Sequence, residues 1–256
     1  MTPEWYVIVL LCCVAAAAGW VDAVSGGGGL LQLPALLLVA PTERPALALG
    51  TNKFSSIMGT TAAAVTYGRL ALPRLWTAVP MALSAFGGAA VGARLAINLP
   101  PEVFGPLILA ALVLVWIFVA LRPQLGRVAR EVSAARRWTT AIVGGVVIGL
   151  YDGLLGPGTG AFLVILLVAA TGFTFLQASA TAKIVNIGTN LAALLIFGWA
   201  GAVAWGLGIM MGACNVLGAV VGARTAIARG SGFVRGVLLI VVAALIVALG
   251  WQTLGD

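Results

Sequence analysis

The stretch Tyr151-Asp152-Gly153-Leu154-Leu155-Gly156-Pro157-Gly158-Thr159-Gly160 decides the fold when it is set beside Val21-Asp22-Ala23-Val24-Ser25-Gly26-Gly27-Gly28-Gly29. A shift of 130 residues lays Asp22 on Asp152, Gly26 on Gly156 and Gly28 on Gly158 without a gap. The same shift lays Thr51 on Thr181 and Lys53 on Lys183. It also lays Gly88, Gly92, Ala93, Arg94, Ala96 and Ile97 on Gly218, Gly222, Ala223, Arg224, Ala226 and Ile227. A chain rich in Ala, Gly and Leu gives one such match by chance. A rare Asp, a rare Lys and an Arg at a single offset point to internal duplication.

Composition restricts the class. Of the 256 residues, 62% are hydrophobic and 8% charged, where a soluble domain carries roughly 25% charged residues. Mean hydropathy is +1.13, and there is no histidine. Such a chain cannot cover a water-facing surface, so the expected class is a polytopic α-helical membrane protein. A soluble enzyme, a nucleic-acid binder and a secreted disulfide scaffold are excluded. The 14 Lys+Arg against 7 Asp+Glu sit mostly in short loops, where they act as topology signals and anchors for anionic lipid. Cys12, Cys13 and Cys214 lie in apolar runs as small hydrophobes, and no metal-ligand spacing exists. The opening Met-Thr-Pro-Glu has no positive charge and its segment has a counterpart in the second half, which argues against a cleaved signal peptide.

Each half divides into five apolar segments. In the first they are Trp5–Val21, Leu30–Ala40, Ala46–Tyr67, Leu75–Ile97 and Val103–Leu121. In the second they are Trp138–Tyr151, Ala161–Thr171, Phe175–Gly198, Trp205–Ile227 and Phe233–Leu249. The last three of each half are long enough, or nearly so, to cross ~30 Å of hydrocarbon. The second segment reaches only ~16 Å as a helix. The first and second segments therefore read as a broken pair meeting at a Gly-rich turn. Whether they span together or form a re-entrant hairpin is left open. The expected organisation is a first transmembrane repeat over 1–121, a cytoplasmic basic linker over 122–137 and a second repeat over 138–256. Five Arg and one Glu in Arg122–Arg137 place that linker inside by the positive-inside rule. Both termini then fall outside, and the two repeats are inverted relative to each other, as in many secondary transporters.

Four ionisable residues lie within the apolar segments or at their central breaks: Asp22, Asp152, Lys53 and Lys183. A charge inside a membrane costs about 2.5–3.5 kcal/mol on insertion scales. Such groups pair or face a cavity. One expectation is an ion pair within each half, Asp22 with Lys53 and Asp152 with Lys183. Lys53, Ser56 and Thr60 share one helix face, and Lys183, Asn186 and Asn190 repeat the spacing. A polar stripe in a membrane helix faces protein or water. The Gly-rich turns expose backbone N–H groups before a short helix, a disposition that attracts anions. Lysine stripe and glycine turn, present twice, predict a hydrogen-bond-donating site for a small anion. The candidate substrate-binding residues are Lys53, Lys183, Asn52, Ser56, Asn186, Asn190, Gly28, Gly158 and Thr159. Asp22 and Asp152 either hold the lysines in the empty site or carry a coupling proton.

At these residues the chain resembles the sulfite exporter TauE/SafE family of anion transporters, and within it the YfcA-like bacterial members. The resemblance covers nearly the whole chain. It is carried by Leu49-Gly50-Thr51-Asn52-Lys53, by Tyr151-Asp152-Gly153 with Gly156-Pro157-Gly158-Thr159-Gly160, and by Thr181-Ala182-Lys183 with Asn186 and Asn190. Departures are the plain run of glycines after Ser25 and Ser56 at the position of Asn186. The resemblance implies outward transport of sulfite, sulfonates or related small anions across a bacterial inner membrane. It implies no cofactor, no metal and no enzymatic activity. The partners are the lipid bilayer and a small anionic substrate, with a proton or cation as candidate coupling ion. The oligomeric state is left open. Alternatives are a passive anion channel, an intramembrane lipid-phosphate enzyme and a scaffold with a vestigial site.

Overall fold

The computed structural model describes residues 5–39, 45–70, 73–98, 113, 116–117, 121 and 132–254. Most of the expected segment Val103–Leu121 and of the 122–137 linker falls outside the described residues. All described elements are helical. They are α1 (Trp5–Ser25), α2 (Gly29–Val39), α3 (Pro45–Leu70) and α4 (Leu75–Ala96), then α5 (Ala134–Thr139), a π-helical turn (Thr140–Gly144) and α6 (Gly145–Leu154). There follow α7 (Thr159–Thr171), α8 (Phe175–Trp199) and α9 (Trp205–Leu254). Gly230 breaks α9 with φ 73° and ψ −171°, so its two parts correspond to the expected segments on either side. Among the described residues, α1, α4, α8 and α9 have the length and apolarity to cross a membrane. The chain is a multi-pass membrane protein.

Two elements differ from the sequence expectation. α1 is 21 residues long, or ~31 Å, and can cross on its own. α3, at 26 residues, has the length, but its polar stripe keeps it out of the apolar group. The short elements behave as expected: α2 has 11 residues and α7 has 13. α1 ends at Gly26 with φ 82°, and α6 is followed by Gly156 with φ 84°. That left-handed backbone suits glycine and turns the chain sharply into the next short helix.

Packing crosses between the halves. α1 lies along α9, α4 along α6, and α3 and α4 both lie against α8. The small residues make these approaches. Gly19 faces the Asn215 carbonyl, and Gly149 faces the Ala85 carbonyl. Gly218 meets the carbonyl of Ala16, and Gly88 that of Val146. Each pair becomes the other when 130 is added or subtracted. A side chain at any of these glycines would collide with backbone, so helix axes come close here as in other small-xxx-small contacts.

Helix starts are capped across the same interface. Thr51 Oγ1 accepts the Ala204 N–H at 2.9 Å ahead of α9. Its counterpart Thr181 Oγ1 accepts the Arg74 N–H at 3.3 Å ahead of α4. Each threonine also donates to its own helix, to the carbonyls of Leu47 and Gln177. Each thus satisfies an N–H that a helix start leaves without an internal partner. The start of α8 is closed by a capping box, Thr174 with Gln177, which fixes the register of the helix carrying Lys183.

Candidate functional site

The chain interruptions after α1 and α6 bring two turns together at the centre of the bundle. Gly26 and Gly160 approach so closely that a side chain on either would meet the other's backbone. Gly26 O accepts the Ala161 N–H at 3.2 Å, tying the first turn to the start of α7. Gly158, left-handed at φ 80°, caps that helix. Gly29 opens α2 beside Pro157 and the Asn52 amide.

Around these turns lies a small cavity. It is lined by Asp22, Asn52, Lys53, Ser56, Thr60 and Asp152, by Asn186 and Asn190, and by the turn residues Gly26, Gly29, Gly156, Gly158, Thr159 and Gly160. It offers about 30 Å³ for the centre of a water molecule, where ~10–15 Å³ holds one water. That is room for a few waters or one small polyatomic ion.

The charged residues pair across the halves. Lys53 Nζ lies 2.7 Å from Asp152 Oδ1, and Lys183 Nζ lies 2.9 Å from Asp22 Oδ2. The same-half pairing expected from sequence is therefore overturned. The helices that carry each lysine pack against the other half, so the nearest carboxylate belongs to the other half. Both lysines are buried. An unpaired ammonium there would be costly, and a close carboxylate offsets the cost.

The two pairs are not alike. Asp152 Oδ1 also accepts the Thr159 hydroxyl at 2.6 Å, and its side chain is 4% exposed. The same hydroxyl lies 2.9 Å from Gly156 O, so its one proton is shared between the two acceptors. Asp22 keeps 18% of its side chain exposed and receives the Thr60 hydroxyl at a long 3.4 Å. Lys183 donates as well to the Asp22 main-chain oxygen. The position equivalent to Thr159 is Gly29, which has no hydroxyl to offer.

Buried polar atoms here lack partners. Asn52 Oδ1, Asn186 Oδ1 and Asp152 Oδ2 accept no hydrogen bond. A buried unsatisfied group costs about 1–3 kcal/mol, so such atoms mark a place for a ligand or water. An amide can be turned over to present its NH2 in place of its oxygen, which makes both asparagines potential donors to an anion.

Of the expected site residues, Lys53, Asn52, Ser56, Asn186, Asn190, Gly158, Thr159, Asp22 and Asp152 line the cavity. Lys183 is wholly buried and meets the cavity through Asp22. Gly28 lies aside, packed on the Ala18 carbonyl and Asp22 Cβ. Sequence reasoning did not single out Gln32 and Asn215, whose buried side chains bond at 2.9 Å. Neither has a polar counterpart in the other half (Phe162 and Ala85), so duplication gave no signal. Tyr67 and Tyr151 were also missed; their hydroxyls donate at 2.9 and 2.8 Å to the carbonyls of Ala23 and Pro157, beside the two turns.

Comparison with known families matches the description "Sulfite exporter TauE/SafE" over residues 11–249. The chain belongs to the TauE/SafE family. The TauE/SafE match takes in both turns, both lysines and both aspartates. Among relatives, a probable membrane transporter protein ORF9 of Sinorhizobium sp. is 36% identical over 90% of this chain and 87% of its own. A probable membrane transporter protein of Haemophilus influenzae is 31% identical over 86% of this chain and 85% of its own. The probable membrane transporter protein YfcA of Escherichia coli K12 is 31% identical over 92% of this chain and 87% of its own. No solved structure matches the chain. Membership of TauE/SafE makes the protein a membrane transporter of that type.

Proposed function

We propose that this transporter exports small anions, sulfite or organosulfonates, across a bacterial inner membrane by alternating access around the central cavity. The observation that carries the proposal is the cavity itself. Two buried lysine–aspartate pairs, one of them reaching the space through Asp22, the partnerless amide oxygens of Asn52 and Asn186, and the starts of α2 and α7 meet at one space of small-anion size. Lys53 and Lys183 offset the dehydration of the substrate. Asn52, Ser56, Asn186, Asn190, Thr159 and the amides at the turn of Gly158 orient its oxygens. Asp22 and Asp152 hold the lysines while the site is empty. Helix starts add positive potential at the ends of α2 and α7.

The architecture in this proposal is two inverted repeats of five segments each, 1–121 and 138–256, joined by a cytoplasmic linker at 122–137. Both termini face outward. Support comes from the glycine contacts and threonine caps that recur at the 130-residue spacing. The arrangement suits a transporter in which one half rocks against the other around a fixed site. The small volume of the cavity favours a carrier that must rearrange over a standing pore.

The test is a thermal-shift screen of purified protein against sulfite, sulfate, sulfonates and carboxylates, followed by flux of the best binder in proteoliposomes. Saturable flux of sulfite or a sulfonate is expected. Stabilisation by none of these anions, with no flux, would overturn the proposal.

A further inference from the structure

From the inequality of the two ion pairs we infer that Asp22, and not Asp152, takes up one proton for each anion carried. The inference rests on the anion-transport proposal and deepens it. Its starting point is charge. Among the described residues, Lys53, Asp22 and Asp152 line the cavity and Lys183 sits behind Asp22, and the two pairs cancel. A neutral site in a low-dielectric interior gives an entering anion no net attraction. Neutralising one carboxylate frees one ammonium, and the site then carries one positive charge to match a monoanion.

Geometry selects the carboxylate. Asp152 is 4% exposed, and Lys53 and Thr159 both bind its Oδ1. Its other oxygen is buried without a partner, so a proton placed there would become a donor with nothing to donate to. Asp22 is 18% exposed on the cavity side, and its hydroxyl contact from Thr60 is 3.4 Å long. Gly29 stands where the other half has Thr159. When Asp22 is protonated, an O–H bond forms on its carboxylate, and Lys183 keeps all three protons and loses its counter-charge. The anion enters, and on the far side it leaves with the proton, so export on these terms runs electroneutrally down the anion's own concentration gradient.

The surroundings of Asp22 are counted by element. α3 presents Lys53, Thr60 and Tyr67, whose hydroxyl is bound to Ala23 O. α8 presents Lys183, α6 presents Asp152 across the cavity, and α7 presents Thr159. α2 holds no charged residue. α9 contributes Asn215 at Gly19; its arginines Arg224, Arg229 and Arg235 do not line the cavity. Among the described residues, Lys53 is the cation lining the cavity and Lys183 is the cation bonded to Asp22.

The experiment uses the full chain in proteoliposomes with radiolabelled methanesulfonate, a monoanion at every working pH, and with sulfite as a second probe. One proton per monoanion moves no net charge, so a one-unit pH gradient should drive about tenfold accumulation, independent of a potassium–valinomycin potential. In Asp22→Asn, accumulation should ignore the pH gradient and follow the imposed potential. Asp152→Asn should lower flux yet keep about tenfold accumulation per pH unit. The wild-type response to the pH gradient reads the inference should Asp22→Asn not insert. Absence of wild-type flux with either probe would overturn the transport proposal. Flux indifferent to the pH gradient, or coupling lost in Asp152→Asn and kept in Asp22→Asn, would overturn the inference while leaving transport standing.

Discussion

Lys53 makes its ion pair with Asp152 of the opposite half, at 2.7 Å and almost out of reach of solvent. Removing one member strands a buried charge, which typically costs about 3–5 kcal/mol, whereas removing both leaves only a packing defect. Lys53→Ala should therefore lower the unfolding temperature in detergent more than Lys53→Ala/Asp152→Ala does. Equal losses in the two variants would mean that the pair contributes no coupling.

The second pair predicts a gentler stability effect and a stronger functional one. Lys183→Ala leaves Asp22, which lines the cavity and keeps 18% of its side chain exposed, so it is stranded less deeply than Asp152 would be. The variant should insert and unfold closer to wild type than Lys53→Ala, yet carry no anion in proteoliposomes. Undiminished flux would remove Lys183 from the transport path.

Thr159 donates a 2.6 Å hydrogen bond to Asp152. Loss of a hydrogen bond to a charged group costs about 1.5–3 kcal/mol. Thr159→Ala should lower the unfolding temperature and weaken anion binding, and Thr159→Ser should restore most of both. A serine variant as impaired as the alanine variant would show that the methyl group, not the hydroxyl, matters.

Gly26 and Gly160 touch through backbone. A methyl at residue 160 must push the two turns apart, and overpacking of this kind costs about 1–3 kcal/mol. Gly160→Ala should reduce thermal stability and abolish transport, while the same change at Gly87, where a methyl meets nothing within 4 Å, should leave both near wild type. Calorimetry together with flux on the two variants checks the contrast.

Much of the site was legible in the sequence because rare residues repeat at one offset. Asp22, Asp152, Lys53 and Lys183 stand out in a chain with so few charges, and the glycine turns mark the interruptions beside them. The pairing of those charges was not legible. Periodicity says which face a lysine occupies but not which neighbouring helix supplies its carboxylate, and here the supplier lies across the interface between the halves. Gly28 was expected to match Gly158, but only Gly158 is left-handed, so equal letters took up different backbone geometry. Gln32 and Asn215 were invisible because each is polar in one copy only. α3 resisted a hydropathy reading for the reason that makes it interesting: its membrane-length helix carries the stripe of Lys53, Ser56 and Thr60.

The exchange of partners between Lys53, Asp152, Lys183 and Asp22 bears on ancestry. A polypeptide made of one copy alone would own an acid and a base that do not reach each other. Two identical copies would each complete the other, so a single-length forerunner would have had to work as a homodimer before gene fusion. The same logic predicts that today's halves, expressed as separate polypeptides, would need each other in the same bilayer before either could bury its charges.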